Sequence, residues 1–339
     1  MKPKIPNQKK KYNSHHKRVE SYVYLITQLY YTLNKEAAKV VMRTDYDGSI
    51  PFRFSDYPST KDAIDKLQRK HVNNLQAIII NGITAEWGES NFVQDELVKK
   101  VIDSYGAKLS DEKYSKFFSN NDSALKAFIA RKDKRGMNNL SARVWDMSVN
   151  YKQGLEQAVS LGISNGTSAV ALSKKISQYL NDFPSMRKEY TDKFGKASDI
   201  LDCEYRSARL ARTEIGMAYR NAEQERWSQL DFVVGYEVKR SGRGYPCSVC
   251  ESLAGKYPKS FNWSLWHPNC MCYAIPILAT EDEFWNWDED GSKDMESVNT
   301  VSDVHAGFKE WIKDNNERIE VAKNSGTLPY FILNNRKYV

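Results

Sequence analysis

Long apolar runs are missing from this chain. The longest, such as Ala77-Ile78-Ile79-Ile80, fall far short of the ~20 residues that span a bilayer, so no membrane-crossing helix is predicted. The Lys-rich start is followed by no apolar stretch ending in small residues, which argues against a secretory signal and predicts a soluble intracellular product. Cysteine is scarce, five among 339 residues, and in an intracellular chain a disulfide framework is disfavoured. A P-loop, a His-Glu-x-x-His metalloprotease pattern and internal repeats are all absent. What remains is ordinary globular composition, 41% hydrophobic and 27% charged, in a length that suits roughly two domains. Wholesale disorder is excluded.

Acids are absent from the first 18 positions. Lys2, Lys4, Lys9, Lys10, Lys11, Lys17 and Arg18 account there for the whole net charge of +7, leaving the body formally neutral. Such an arm is expected to be disordered until it meets a polyanion. It reads either as a solubilising tail or as a phosphate-binding arm, with Lys9, Lys10, Lys11, Lys17 and Arg18 as candidate contacts to duplex DNA without sequence preference. Five neutralised phosphates would give a log-log salt slope of about −4 to −5. His15 and His16 adjoin the cations and are neutral near pH 7 unless an anion raises their pKa.

Periodicity predicts helices over most of the rest. The first runs from Val19 to about Met42, with Tyr22, Ile26, Tyr30 and Leu33 on one face and Tyr24 and Tyr31 on another. A helix with two such faces is either central to a bundle or lends one face to a partner. A loop with Asp47-Gly48, Pro51 and Pro58 follows, then a long helix from Ser59 to about Trp87 that Gly82 could break. Further helices are expected near 92–104, 121–132, 140–161, from Thr167 to Asn181-Asp182, and 197–229. In the last, Leu201, Tyr205, Ala208, Ala211, Ile215, Ala218 and Ala222 form one apolar stripe. The β-branched and aromatic run Phe232–Val238 then reads as a strand, and Cys272–Leu278 as a second. An acidic run from Glu281 to Glu296, including Asp288, Glu289, Asp290 and Asp294, reads as a solvated linker or short exposed helix, and a last helix is expected near 305–323.

Four of the five cysteines form the pattern Cys247-x2-Cys250-x16-His267-x2-Cys270-x-Cys272. A pair of ligands two residues apart can turn onto one ion, so Cys247, Cys250, His267 and Cys270 predict a closed, tetrahedral, structural Zn2+ site. Cys272 is the substitute ligand; in a strand it would point away from Cys270. Reduced core thiols, or disulfides in a particle that leaves the cell, are the plainer readings. The 16-residue loop, with Gly255 and Pro258, is not expected to build its own core, which would couple folding to metal. Cys203 stands alone and reads as a small buried hydrophobe. Pro246-Cys247-Ser248-Val249-Cys250 matches half of the zinc-deaminase signature, but no upstream His-x-Glu accompanies it, so no catalytic residue is predicted.

The helix with Leu210-Ala211-Arg212-Thr213-Glu214, then Ala218, Ala222 and Trp227, leads into a strand, a Cys-x-x-Cys and a closing His267-Pro268-Asn269-Cys270-Met271-Cys272. This combination resembles the phage head morphogenesis family, the Mu F-like minor head proteins, over about residues 155–278. Met271 stands where that family commonly has Arg. The resemblance implies a minor component of a tailed-phage head, associated with the portal protein and inner capsid, acting in assembly and in the fate of packaged DNA. Glu214 leans toward the apolar stripe and must be paired if buried, so Arg212 and Glu214 are expected in structural ion pairing rather than catalysis.

The fold expected is α+β and mostly helical. Its parts are a basic flexible arm over 1–18, a helical domain over 19–195, and a Mu F-like module with its long helix and zinc-binding β element over 196–279. An acidic linker and helical tail occupy 280–339. The functional expectation is a non-enzymatic minor head protein, located in the virion near the portal vertex and in host cytoplasm during assembly. The alternative is a zinc-dependent nucleic-acid-modifying enzyme or toxin-like effector carried in the virion.

Overall fold

The computed structural model describes every residue except 1–4, 47–49, 107–108, 133–137, 168, 198–201, 243–245, 287–294 and 296. Lys2, Lys4, the Asp47-Gly48 turn, Leu201 and the acidic residues Asp288, Glu289, Asp290, Asp294 and Glu296 therefore lie outside the described residues. The helices are α1 (Gln8–Val41), α2 (Pro58–Tyr105), α3 (Asp111–Phe117), α4 (Asp122–Ala130), α5 (Leu140–Ser164), α6 (Ala169–Asn181), α7 (Phe183–Phe194) and α8 (Cys203–Gln229). After β1 (Val233–Lys239) come α9 (Ser248–Leu253), β2 (Gly255–Tyr257) and β3 (Tyr273–Leu278). The chain continues with α10 (Glu281–Trp285), α11 (Ala306–Asp314), α12 (Asn316–Asn324) and α13 (Tyr330–Leu333). The protein is thus α+β and predominantly helical, as its periodicity implies.

The division of the chain is not the linear one expected. Two compact units interleave: one is Met1–Val19, Asn81–Met137 and Arg212–Val339, the other Glu20–Ile80 and Asn138–Ala211. The separate helical domain over 19–195 and the appended tail over 280–339 are both corrected by this.

In the second unit α5, α6 and α7 pack on one another. Leu155, Val159 and Ile176 are fully buried there. Asp182 caps α7 by accepting from Ser185 N at 3.2 Å, and Pro184, expected to end a helix, instead sits in the first turn of this one, where its missing N–H costs nothing. Ile26, Tyr30 and Leu33 of α1 are buried, while Tyr24 and Tyr31 stand 63% and 60% exposed. The second aromatic face is therefore solvent-facing within this unit. Tyr30 Oη lies 2.8 Å from Ser207 Oγ, and Tyr151 donates to Asn34 at 2.6 Å. Between those two tyrosines sits His71, its ring 4.5 Å from Tyr30 and 6.3 Å from Tyr151.

In the first unit, a three-stranded antiparallel sheet of order β2-β1-β3 pairs Tyr236 with Tyr257 on one side and Pro276 on the other. A register shift falls between Val233 and Gly235. A side chain at Gly235 would lie 2.7 Å from Val301, so only glycine admits the C-terminal segment there. Val301 N donates to Val234 O at 3.2 Å, and Asn335 exchanges two 2.7 Å bonds with the backbone of Asn262. Phe308, Phe331 and Trp311 pack with Phe261 and Trp266. Residues expected to form an outlying tail therefore close the core of the sheet.

The basic arm is also corrected. From Gln8 onward it is helical, because Tyr12, His15 and Val19 recur at helical spacing and are buried at 2%, 1% and 2% exposure. Fully buried Glu86 holds this turn: it accepts from Arg18 Nε at 2.6 Å and Nη2 at 2.8 Å, and lies 2.6 Å from His15 Nδ1. A bidentate guanidinium–carboxylate pair is among the stronger polar contacts available. Burial pulls His15 below its ordinary range despite that neighbour. The helix α2 likewise runs through Gly82, since buried Ile79, Ile83 and Trp87 outweigh the ~1 kcal/mol that a helical glycine costs.

Candidate metal centre

The site is assembled from two turns and one helix of the first unit. At the first turn Cys247 caps α9, its Sγ accepting from Cys250 N at 3.4 Å, which folds the two thiols onto the same side. At the second, Cys270 N donates to His267 O at 3.1 Å, with Pro268 second and Asn269 third in the turn. Asn269 has φ of 61°, the left-handed backbone that a type II turn demands at this place and that Asn tolerates well. The sequence thus builds each knuckle locally, and the sheet brings them together.

His267 Nε2 lies 3.3 Å from Cys247 Sγ and 3.0 Å from Cys250 Sγ, and Cys250 Sγ lies 3.9 Å from Cys270 Sγ. A tetrahedron with metal–sulfur bonds of ~2.3 Å and metal–nitrogen bonds of ~2.0 Å has edges of about 3.8 Å between sulfurs and about 3.5 Å from sulfur to nitrogen. The Cys250–Cys270 spacing is close to the sulfur edge, and the two histidine spacings are shorter than the mixed edge. The four expected ligands do not fall into one group within 4.8 Å, because Cys270 groups with Cys250 and Cys272. His267 Nδ1 lies 2.8 Å from Pro268 O, so it carries the proton and leaves the Nε2 lone pair directed at the thiols. Cys247, Cys250 and His267 form one group of donors within 4.8 Å, and Cys250, Cys270 and Cys272 form another. The cluster can hold a metal ion.

Cys272 is nearer the other thiols than strand alternation implied. The strand begins only at Tyr273, so Cys270 and Cys272 precede the pleat and are not bound to opposite faces. All five cysteines have free thiols, and Cys250, Cys270 and Cys272 are buried. Burial opposes ionisation of Cys270, yet hydrogen bonds from Cys250 and Cys272 and the Arg220 charge carry it well below the usual thiol range. Cys203 is buried elsewhere, its thiol pushed up to about 12 by burial, which makes it inert as read from sequence.

The intervening loop does build a core. Phe261 and Trp263 are fully buried, and Phe261 and Trp266 pack against Tyr257 at 4.6 and 5.6 Å. The expectation that this loop depends wholly on metal is corrected: its aromatic residues supply an apolar anchor of their own.

The chain matches no family model, no curated protein and no solved structure. The function of the cluster therefore rests on its own geometry.

Glu214 is buried, and its basic partner is Arg131, at 2.5 Å. That guanidinium also donates to Phe128 O at 2.6 Å and lies 3.5 Å over the Phe128 ring. The acid of Arg212-Thr213-Glu214 is thus a packed ion-pair member. Of the candidate DNA contacts, Lys11 pairs with Glu96 at 2.6 Å and Arg18 with Glu86, whereas Lys9, Lys10 and Lys17 are exposed.

Sequence reasoning missed Arg220, Glu223 and Arg226, all buried on α8. It treated α8 as having one apolar stripe, but residues 214–220 are buried on every side, and Tyr205, assigned to the stripe, is 56% exposed. Arg226 is satisfied by Asp95 at 2.7 Å, Phe117 O at 2.5 Å and Asn91 at 3.2 Å. The available signal was the run of large and charged residues every third position from Arg220 to Arg226, which cannot all face water on a helix this enclosed.

Proposed function

We propose that this chain is a non-enzymatic minor head protein of a tailed phage, whose α8–β module is stapled by one structural Zn2+ held by Cys247, Cys250, His267 and Cys270. The observation that carries the reading is the bond between the two halves of the Mu F-like pattern: Arg220, on the helix with Arg212-Thr213-Glu214, donates to Cys270 O at 2.7 Å and Cys272 O at 3.1 Å. One soft nitrogen and three sulfurs suit zinc above harder ions, and four protein ligands close its tetrahedron. Zinc so held supplies no open position for a substrate. Its contribution is to fix β1, α9 and the approach to β3.

The partners are those the resemblance implies, and the surface chemistry is compatible with them. Exposed Tyr24 and Tyr31, aromatic with polar tips, suit docking on the portal protein or inner capsid wall. Lys9, Lys10 and Lys17 suit non-specific contact with the phosphates of packaged duplex DNA. The protein then resides inside the virion near the portal vertex, after assembly in host cytoplasm.

Two measurements test this together. Elemental analysis of the purified chain is expected to find about one zinc, and procapsids made with the portal and major capsid proteins of its own genome are expected to carry the chain in few copies. Purified protein without zinc, its thiols freely titratable while folded, refutes the metal centre. Procapsids that never contain the chain refute the head assignment.

A further inference from the structure

Arg220 differs from three other buried or half-buried arginines of the first unit. Arg131 has Glu214 at 2.5 Å, Arg226 has Asp95 at 2.7 Å and Arg18 has Glu86 at 2.6 Å. Arg220, 2% exposed, has no carboxylate within ion-pair distance among the described residues. It is the guanidinium most in need of a negative partner, because an uncompensated buried charge is among the costliest features a fold can carry.

Everything around Arg220 turns it toward the cysteine cluster. Nη2 bonds the carbonyls of Cys270 and Cys272, and the guanidinium lies 4.9 Å over the Tyr12 ring and 5.4 Å over Trp263. Gly216, one turn earlier, leaves it room: a Cβ there would come within 3.0 Å of Nη1. The acid that acts on it electrostatically is Glu223, also on α8, which burial pushes up to about 8, so that near neutral pH its carboxyl is mostly protonated and carries little charge. A guanidinium, by contrast, is always charged.

We infer that Arg220 is the built-in counter-charge of the metal centre, and that its single positive charge selects three thiolates with one imidazole, leaving Cys272 unligated. The inference rests on the proposed zinc site. The charge count is direct: a divalent ion with three thiolates and a neutral imidazole carries one net negative charge, which Arg220 cancels. Two thiolates would give a neutral centre and strand the arginine. Four, with Cys272 replacing His267, would leave one negative charge unopposed in a buried place. Cys272 then serves through its backbone carbonyl, which Arg220 holds, and its thiol packs beside the centre.

The test uses the full chain, loaded with Co2+ for spectroscopy and with Zn2+ for competition against a chromophoric chelator. The Co2+ thiolate charge-transfer intensity is expected to be the same in wild type and Cys272→Ala. Arg220→Gln is expected to weaken zinc tenfold or more, and Arg220→Lys, which keeps the charge, to stay within about threefold of wild type. A loss of about a quarter of the charge-transfer intensity in Cys272→Ala overturns the inference, since it counts that thiol as a fourth ligand. So does a folded Arg220→Gln that binds zinc like wild type. Should Arg220→Gln not fold, Arg220→Lys decides: near-normal affinity supports the counter-charge, and a tenfold loss overturns it. Wild type that takes up neither ion refutes the metal site itself, an outcome distinct from a wrong ligand count.

Discussion

Lowering the pH from 7 to 5 is expected to cost the second unit about 2 kcal/mol through one residue, His71. It is 4% exposed, ringed by Tyr30 and Tyr151, and neither ring nitrogen has a hydrogen-bond partner among the described residues. Burial pulls its pKa from 6.5 down to about 4. The folded chain therefore holds the neutral ring, while the unfolded chain takes up a proton once the pH falls below 6.5. Stability is level above that value, declines through the window from 6.5 to about 4, and levels again below it, for a total of ~3 kcal/mol. Urea unfolding followed by circular dichroism at pH 7 and pH 5 measures the loss. The control is His71→Phe, which keeps a ring between the two tyrosines and removes the titration. Because His15 is also buried and shifted down, the informative quantity is the difference between wild type and variant. A variant that loses as much stability as wild type between the two pH values refutes the reasoning.

Other perturbations reach the remaining features. Arg131→Met leaves the buried Glu214 carboxylate without its guanidinium and is expected to cost ~3 kcal/mol in urea unfolding, part of it recovered by adding Glu214→Gln; no change in midpoint would show the pair to be incidental. Cys247→Ser is expected to lower zinc content measured by elemental analysis, while Cys272→Ser leaves it unchanged, and equal effects would refute the ligand choice. Duplex DNA binding is expected to show a log-log salt slope near −3, set by Lys9, Lys10 and Lys17 rather than by all five candidates. Changing those three to Gln should abolish it, and an unchanged slope would place DNA elsewhere. Tyr24→Ala with Tyr31→Ala is expected to leave the melting temperature nearly unaltered, since both rings are exposed, while preventing incorporation into heads; a large drop in melting temperature would show these rings to be packed.

Local features were legible because local chemistry makes them. The two turns of the cysteine–histidine cluster are each closed within four residues, and the strands at Val233 and Tyr273 begin within a residue of where β-branched and aromatic runs start. Partnership over long distances was not legible. Seven cations in 18 residues look like a free arm until Glu86 and Glu96, far along the chain, take up Arg18 and Lys11. The same holds for α8, whose charged faces are polar by composition and buried in fact, because Asp95, Asn91 and Arg131 come to meet them. Hydrophobic periodicity detects one buried face; it is blind to a face buried by ion pairs. The aromatic residues of the 251–266 loop were in plain view, but their partners Phe308 and Phe331 lay in a segment assigned to a tail.

The interleaving of the two units bears on how the protein comes off the ribosome. Three of the four points where the chain leaves one unit for the other fall inside α1, α2 and α8, and only the passage at 137–138 falls between helices. The second unit possesses all of its chain once Ala211 has been made, whereas the first still lacks the segment from Arg212 onward, with β1, β2, β3 and every candidate ligand. An ion held by this cluster would therefore be captured late in biosynthesis. Before then, the helix from Gln8 to Val19 waits with its buried face unsupported by Tyr219 and Tyr273, and a ribosome stalled just past Ala211 would display a finished second unit and a first unit still open to proteases.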